Sequence, residues 1–451
     1  MTTNKEKMSF PQLTRKQTME LDACVDCGEC VKFCPVFDQL QREGVTARGK
    51  IRNLREMVKH VYGIMGRARG GSLIDKNKID KFVEDLYLCT VCGQCQTVCE
   101  SRIKSCSLWE TIRADMVKQG FGPLERQRQW PTNVKTKYNP YGEDHLARSN
   151  WLPSDVKVAE TADIAYFVGC TSSYKMQHLA ITTARILNKL NIDFVLPGND
   201  ERCCGSPLIR TGQIEVVKDL VQHNVNTIRE KGVNLVVYSC SGCFRTSVFD
   251  WPRYYGKLPF KVQHITQLLA KKLETVKIDP LPGVEERVAY HDPCHLGRHV
   301  GVYDEPRRIL ELLPGITLVE MKRTREYSRC CGAGGGVKAG IPELALEIAA
   351  KRIHDAKPTS SPAQVKEAAK NLTREYHELS EEEKAVMPLE ERMAWERVGE
   401  IMETGATMVV SACPFCVLNL THGMQRLGLD IPVVDIVTLV GQFLRITPPN
   451  E

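Results

Sequence analysis

Cys203-Cys204-Gly205, repeated as Cys330-Cys331-Gly332, is the stretch on which the reading of this chain turns. Adjacent cysteines do not readily serve one tetrahedral zinc ion, so two such pairs inside larger cysteine sets point to a different metal centre. Working outward, each pair sits in the same order of elements. An apolar run ends on a cysteine, Ile164-Ala-Tyr-Phe-Val-Gly-Cys170 in one copy and Val288-Ala-Tyr-His-Asp-Pro-Cys294 in the other. A helical stretch and a second short strand (Phe194 to Leu196; Thr317 to Met321) lead to the Cys-Cys-Gly pair. A third strand then ends in C-x2-C, Leu235-Val-Val-Tyr-Ser-Cys240-Ser-Gly-Cys243 and Met408-Val-Val-Ser-Ala-Cys413-Pro-Phe-Cys416. A last strand-to-helix step closes each copy, at Lys261-Val-Gln-His-Ile-Thr-Gln-Leu-Leu and Pro432-Val-Val-Asp-Ile-Val-Thr-Leu-Val.

Short apolar runs alternating with amphipathic helices predict parallel βα units with helices on both faces, an α/β fold. Ligands of such sheets bind beyond the carboxyl ends of the strands. Cysteines fall at those ends in both copies. Cys170, Cys203, Cys204, Cys240 and Cys243 are therefore expected to converge, and so are Cys294, Cys330, Cys331, Cys413 and Cys416. The copies differ in spacing: 35 residues separate Cys204 from Cys240, and 81 separate Cys331 from Cys413. The excess, about residues 357–399, reads as a surface insertion that either docks a partner or is tolerated decoration.

Ahead of the repeat lie two further runs. Cys24-Val-Asp-Cys27-Gly-Glu-Cys30-Val-Lys-Phe-Cys34-Pro35 is C-x2-C-x2-C-x3-C-P, and Cys89-Thr-Val-Cys92-Gly-Gln-Cys95-Gln-Thr-Val-Cys99 repeats it with Glu100-Ser101 in place of proline. This is the spacing of two-cluster ferredoxins, in which the fourth cysteine crosses to the other cluster. Cys24, Cys27, Cys30 and Cys99 are expected to hold one cubane 4Fe–4S cluster, and Cys89, Cys92, Cys95 and Cys34 a second. C-x2-C pairs also build zinc ribbons, but the doubled x3 gap argues against zinc. Between the runs, Ile51, Leu54 and Val58 mark the buried face of a basic helix from Arg48 to Lys59, whose charges either compensate cluster thiolates or are solvated. Cys106 stands outside every run and reads as a buried structural thiol.

The expected divisions are residues 1–122, a mainly helical two-cluster domain; 123–162, a connector without sustained periodicity; 163–283, the first repeat; and 284–451, the second. A length of 451 residues accommodates several cores. Nineteen cysteines together with a polar stretch from Met1 to Met19 favour a cytoplasmic metalloprotein over a disulfide-stapled secreted one. No apolar run reaches membrane-spanning length, so membrane association, if any, is peripheral and through a partner. The formal charge of +6 is uneven, with 25 Lys/Arg against 18 Asp/Glu in residues 1–150. A basic front suits anionic clusters, an acidic redox partner or a membrane surface, and no nucleic-acid motif accompanies it.

Three weaker signals have competing readings. Gly332-Ala-Gly334-Gly335-Gly336 is glycine-rich like a phosphate loop but follows a cysteine pair, so close backbone approach to a cluster is the better account. His291 and His295 flank Cys294 either as ligands or proton donors, or as satisfied hydrogen-bonding groups. Lys322, Arg323, Arg325 and Arg329 either balance cluster charge, attract an anionic substrate, or are solvated surface.

The doubled C, CCG, C-x2-C pattern resembles the CCG domain of heterodisulfide reductases, and the front runs resemble their small iron–sulfur subunit. Together in one chain they are similar to the D-type subunit, a fusion of the C-type and B-type subunits. The resemblance implies that each five-cysteine set binds one noncubane 4Fe–4S cluster, giving one or two such clusters beside the two cubanes. It further implies disulfide reduction or thiol oxidation between the two sets, with electrons exchanged with a membrane cytochrome b, a flavoprotein or a hydrogenase. A relay subunit of a quinone-linked membrane complex, without a substrate of its own, shares every one of these cysteines.

Overall fold

The computed structural model describes residues 5–68, 73–340, 404–426 and 429–446. The expected insertion at 357–399 lies outside the described residues. Among the described residues nine strands, β1 to β9, fall into three sheets. Two short strands, β1 (Lys5–Lys7) and β2 (Leu73–Asp75), pair antiparallel and tie the N-terminus to the helical front domain. The basic helix of the front runs Ala47–Tyr62, capped by the Thr46 hydroxyl accepting from the Gly49 N–H. Its buried row is Ile51, Leu54, Met57 and Val61, with Val58 half-buried at its flank, so the face is rotated slightly from the one expected. This helix, Lys76–Tyr87 and Ser105–Lys118 pack around Trp109 and Phe82.

The repeat appears as two parallel sheets. In the first, β3 (Ile164–Phe167), β4 (Leu235–Tyr238) and β5 (Lys261–His264) run in that order. In the second the order is β7 (Ile316–Val319), β6 (Glu286–His291), β8 (Met408–Ser411), β9 (Val433–Asp435). The orders match once Val195 is counted: it bridges parallel to Ala165 on the outer side of β3, where β7 stands in the second copy. This edge shrinks to a bridge because Pro197 cannot donate to a ladder. Ala165, Tyr166, Phe167, Val236, Val237 and Tyr238 are all buried, as befits strands covered on both faces.

The copies pack reciprocally. Helix Gln177–Lys189 of the first lies against Ile436–Phe443 of the second, and Ile265–Leu273 of the first against Asp304–Leu312 of the second. This pseudo-twofold arrangement joins the C-x2-C loops: the Ser241 hydroxyl, between Cys240 and Cys243, donates to the carbonyl of Ala412 at 2.6 Å. The connector is more structured than its sequence suggests. It forms a helix, Trp130–Lys137, and a 3-10 turn, His145–Ser149, both built against the first copy.

Candidate functional site

Each cysteine set is placed by a strand end passing into a helix N-terminus, where unpaired N–H groups favour a thiolate. Cys170 opens the helix Cys170–Tyr174, Cys240 caps Ser241–Phe249, and Cys413 precedes Pro414–Arg426. The glycine after each pair explains the Cys-Cys-Gly form. Gly205 and Gly332 have φ of +89° and +92°, a region open to glycine. From there each amide turns back and donates to the first sulfur of its pair, Cys203 or Cys330, at 3.4 Å.

In the first set, Cys170 contacts Cys203, Cys203 contacts Cys204, Cys204 contacts Cys243, and Cys243 contacts Cys240. All five are buried. Hydrogen bonds from Cys203 and Cys243 lower the Cys204 thiol to about 6. The second set repeats the chain: Cys294 to Cys330, Cys330 to Cys331, Cys331 to Cys416 at 3.3 Å between sulfurs, and Cys416 to Cys413. Hydrogen bonds from Cys330 and Cys416 hold the Cys331 thiol well below its usual range.

In the front domain, Cys24, Cys27 and Cys99 lie close enough to Cys30 to act on its charge, and burial raises the Cys30 thiol. Cys34 lines one enclosed cavity with Cys89, Cys92 and Cys95. Lys50, 1 % exposed, lines the same cavity with Trp109, over whose ring its ammonium sits at 4.9 Å. Burial opposes the Cys89 thiolate, but Lys50 and Arg113 outweigh it and lower its pKa. Of the basic helix, Lys50 thus meets the sulfurs, while Arg48 and Arg52 reach Glu43 and Asp26. Cys106 is buried against the Val91 carbonyl at 3.8 Å.

The front domain meets the second copy, not only its own neighbours in sequence. Cys92 contacts Cys330 directly. Arg298 Nη1 and His299 Nε2 each lie 3.1 Å from the Cys92 carbonyl. The glycine run 334–336 presses on the loop carrying Cys89. A side chain at Gly335 would run into the Cys89 carbonyl, and one at Gly334 would come within 2.6 Å of the Thr90 carbonyl. The close approach expected of these glycines is therefore made to a cysteine-bearing backbone. Arg113, fully buried, pins the seam by donating to the carbonyls of Leu86, Cys89, Arg210 and Gly335, one residue reaching the front domain and both copies. Arg329 reaches across to Asp38 at 2.7 Å and Arg323 lies over the Phe33 ring at 5.8 Å, while Arg325 pairs with Asp304.

His291 brings its ring into the second set, within 4.8 Å of the Cys331 and Cys416 sulfurs. His295 and His299 stand edge to face at 5.0 Å, and burial pushes His295 down to about 3, so its ring is neutral. Two groups have no signal in the sequence. Arg113 lies in an ordinary helix, and Arg148 comes from the aperiodic connector to lie against Cys170, its Nη1 and Nη2 at 3.7 and 3.8 Å from the sulfur.

Clusters of buried thiols with amide donors and buried cations beside them suit anionic iron–sulfur groups. Comparison with known proteins agrees. The 4Fe-4S dicluster domain family matches residues 20–103, and the cysteine-rich domain family CCG matches residues 164–246, 288–369 and 380–421. The chain is 43% identical over 96% of its length, and 97% of the relative's, to the D subunit of the dihydromethanophenazine:CoB--CoM heterodisulfide reductase of Methanosarcina acetivorans. It belongs to the family of D-type heterodisulfide reductase subunits. More distant relatives are the B subunit of the fumarate reductase (CoM/CoB) of Methanothermobacter marburgensis, 30% identical over 94% of this chain and 73% of that one, and the EtfAB:quinone oxidoreductase of Syntrophomonas wolfei, 26% identical over 91% and 56%.

As a member of that family the chain is an iron–sulfur oxidoreductase subunit of a larger redox complex. Its dicluster domain carries two 4Fe–4S clusters, its cysteine-rich domains bind noncubane 4Fe–4S clusters, and these groups supply single-electron transfer toward disulfide chemistry. No helix among the described residues is long and apolar enough to cross a membrane.

Proposed function

We propose that this subunit reduces a mixed disulfide, or oxidises the two thiols, in the space between its two five-cysteine sets. R–S–S–R′ takes up two electrons and two protons to give RSH and R′SH, so two sites that each handle one sulfur suit the stoichiometry. The observation that carries the reading is the facing of the two C-x2-C loops, tied by the Ser241 to Ala412 hydrogen bond. Cys170, Cys203, Cys204, Cys240 and Cys243 bind one noncubane cluster, and Cys294, Cys330, Cys331, Cys413 and Cys416 the other. Cys24, Cys27, Cys30 and Cys99 bind the outer cubane, and Cys34, Cys89, Cys92 and Cys95 the inner one. The Cys92 to Cys330 contact supports an order of reduction running outer cubane, inner cubane, second set, first set.

The donor is a membrane cytochrome b, a flavoprotein or a hydrogenase at the cytoplasmic face, and the disulfide is of the CoB--CoM kind named for the Methanosarcina protein. A quinone-linked relay is the second reading, favoured by the name of the Syntrophomonas relative. Anaerobically purified protein tests the choice. The first reading predicts about sixteen iron atoms per chain, for four four-iron clusters, and disulfide turnover with an artificial donor. About eight iron atoms with cubane signals alone would end it, and electron flow to a cytochrome without disulfide binding would favour the relay.

A further inference from the structure

We propose that Arg148 makes the first cysteine set the more oxidising of the two, so that electrons arriving through the second set are drawn to the first. Arg148 lies in the 3-10 turn His145–Ser149, which the Asp144 carboxylate caps by accepting from the Leu146 N–H. Only 1 % of it is exposed, and both terminal nitrogens face the Cys170 sulfur. Glu201, itself buried, forms an ion pair with Nη2, one of the two nitrogens that face the sulfur. Glu201 offsets the guanidinium at the sulfur only in part. Its carboxylate also accepts from the Val168 and Gly169 N–H groups, each at 2.8 Å, so its charge is shared among three donors. The cation thus has a fixed orientation, held by Glu201 and the Tyr174 ring with both terminal nitrogens at Cys170.

The matching positions in the second copy are filled differently. Glu201, two residues ahead of its cysteine pair, becomes Ser328; Val168, two residues ahead of Cys170, becomes Asp292 ahead of Cys294. Asp292 is buried and accepts from Arg307 and from the Arg325 N–H, each at 2.8 Å, while Arg307 also pairs with Glu320 at 2.6 Å, so the arginine at this place in the second copy is held by two carboxylates and not at a sulfur. Beside Cys170 one cation answers one carboxylate and a sulfur. Reduction adds negative charge to a cluster, and a buried cation about 4 Å from a ligand sulfur, unscreened by salt, stabilises that added charge. Because the front domain touches the second set, a higher potential at the first carries electrons across the pair and leaves neither site idle.

This inference rests on the four-cluster reading above. The test is an EPR-monitored redox titration of the anaerobic holoprotein with R148M, R148K and E201Q, each checked for iron content. R148M is expected to lower the midpoint of one noncubane component and leave the other unmoved. E201Q, which frees the guanidinium of its counter-charge, is expected to raise the same component, and R148K to stay near the unmutated value. Opposite signs from two changes at one ion pair are not what a purely structural role gives. Shifts of the same sign, or noncubane signals indifferent to both changes, would overturn the inference alone. Absence of any noncubane signal from the unmutated protein would overturn the four-cluster reading and this inference with it.

Discussion

The two Cys-Cys-Gly turns are alike in backbone and unlike in their onward paths. After Gly205 the chain runs Ser206-Pro207-Leu208 straight into the helix Ser206–Thr211, and Leu208 buries itself in the core of its own copy. After Gly332 it runs Ala333-Gly334-Gly335-Gly336 and lies against the backbone of Cys89 and Thr90. The difference teaches how a duplicated unit acquires direction. Both onward paths meet the front domain, the first through the Arg210 side chain paired with Glu110 and the second through bare glycine backbone on Cys89 and Thr90, but only the second set lays one of its cysteines, Cys330, against a front-domain cysteine, Cys92. Arg148 on one side and Asp292 on the other extend the asymmetry from contact to charge.

The sharpest way to break this comparison is to fill the glycine turn. Gly335→Val places a branched side chain at φ of +65° against the Cys89 carbonyl. It is expected to slow electron passage from the front domain to the second set by about 100-fold or more, the scale on which small misplacements act, as read by freeze-quench EPR. Gly205→Ala, at a turn with a neighbouring Val217 methyl at 3.4 Å, is expected to leave that rate within about 3-fold, because its effect on the αL backbone, of order 1–2 kcal/mol, is local.

Next in size is the seam itself. Arg113→Met leaves four buried carbonyls without their donor, each worth about 1–3 kcal/mol. A loss of about 5 kcal/mol of stability is expected in anaerobic denaturation, with the front domain parting from both copies. A loss below about 1 kcal/mol would mean that the seam is held elsewhere.

The smallest effects separate the copies by pH. His264 and Asp435 occupy the same place, each ending the last strand of its sheet and capping the helix after it. Burial depresses His264 from 6.5 to about 3, so the native state binds fewer protons than the unfolded one, and stability is lost as pH falls below about 6.5. Burial raises Asp435 from 3.8 to about 7, so here the native state binds more protons, and stability is lost as pH rises from about 4 to 7. Each window is worth at most about 5 kcal/mol. H264Q is expected to flatten the acid side of a urea-midpoint profile and D435N the neutral side, and a profile unchanged by either would remove this contrast.

Much of the architecture is legible in the sequence because apolar runs such as Leu235-Val-Val-Tyr238 and Met408-Val-Val-Ser411 announce buried parallel strands, and cysteines at their ends share one edge. The strand expected at Phe194 is reduced to a bridge, since Pro197 cuts its ladder short. The glycine run announces a close backbone approach, and the surface it meets is the Thr90 and Cys89 backbone of the second front run. Arg113 and Arg148 are invisible, because an arginine acting across 22 to 222 residues of sequence leaves no local pattern. Lys50, by contrast, is signalled only as one of several basic residues, and burial alone distinguishes it from Arg48 and Arg52.

The central claim is that electrons reach the first set only by way of the second. Freeze-quench EPR of a C330S/C331S variant, retaining iron at the first set and mixed with a reductant, tests it directly. The account predicts that both cubanes are reduced at the unmutated rate while the first set stays oxidised; reduction of the first set at the unmutated rate would contradict it.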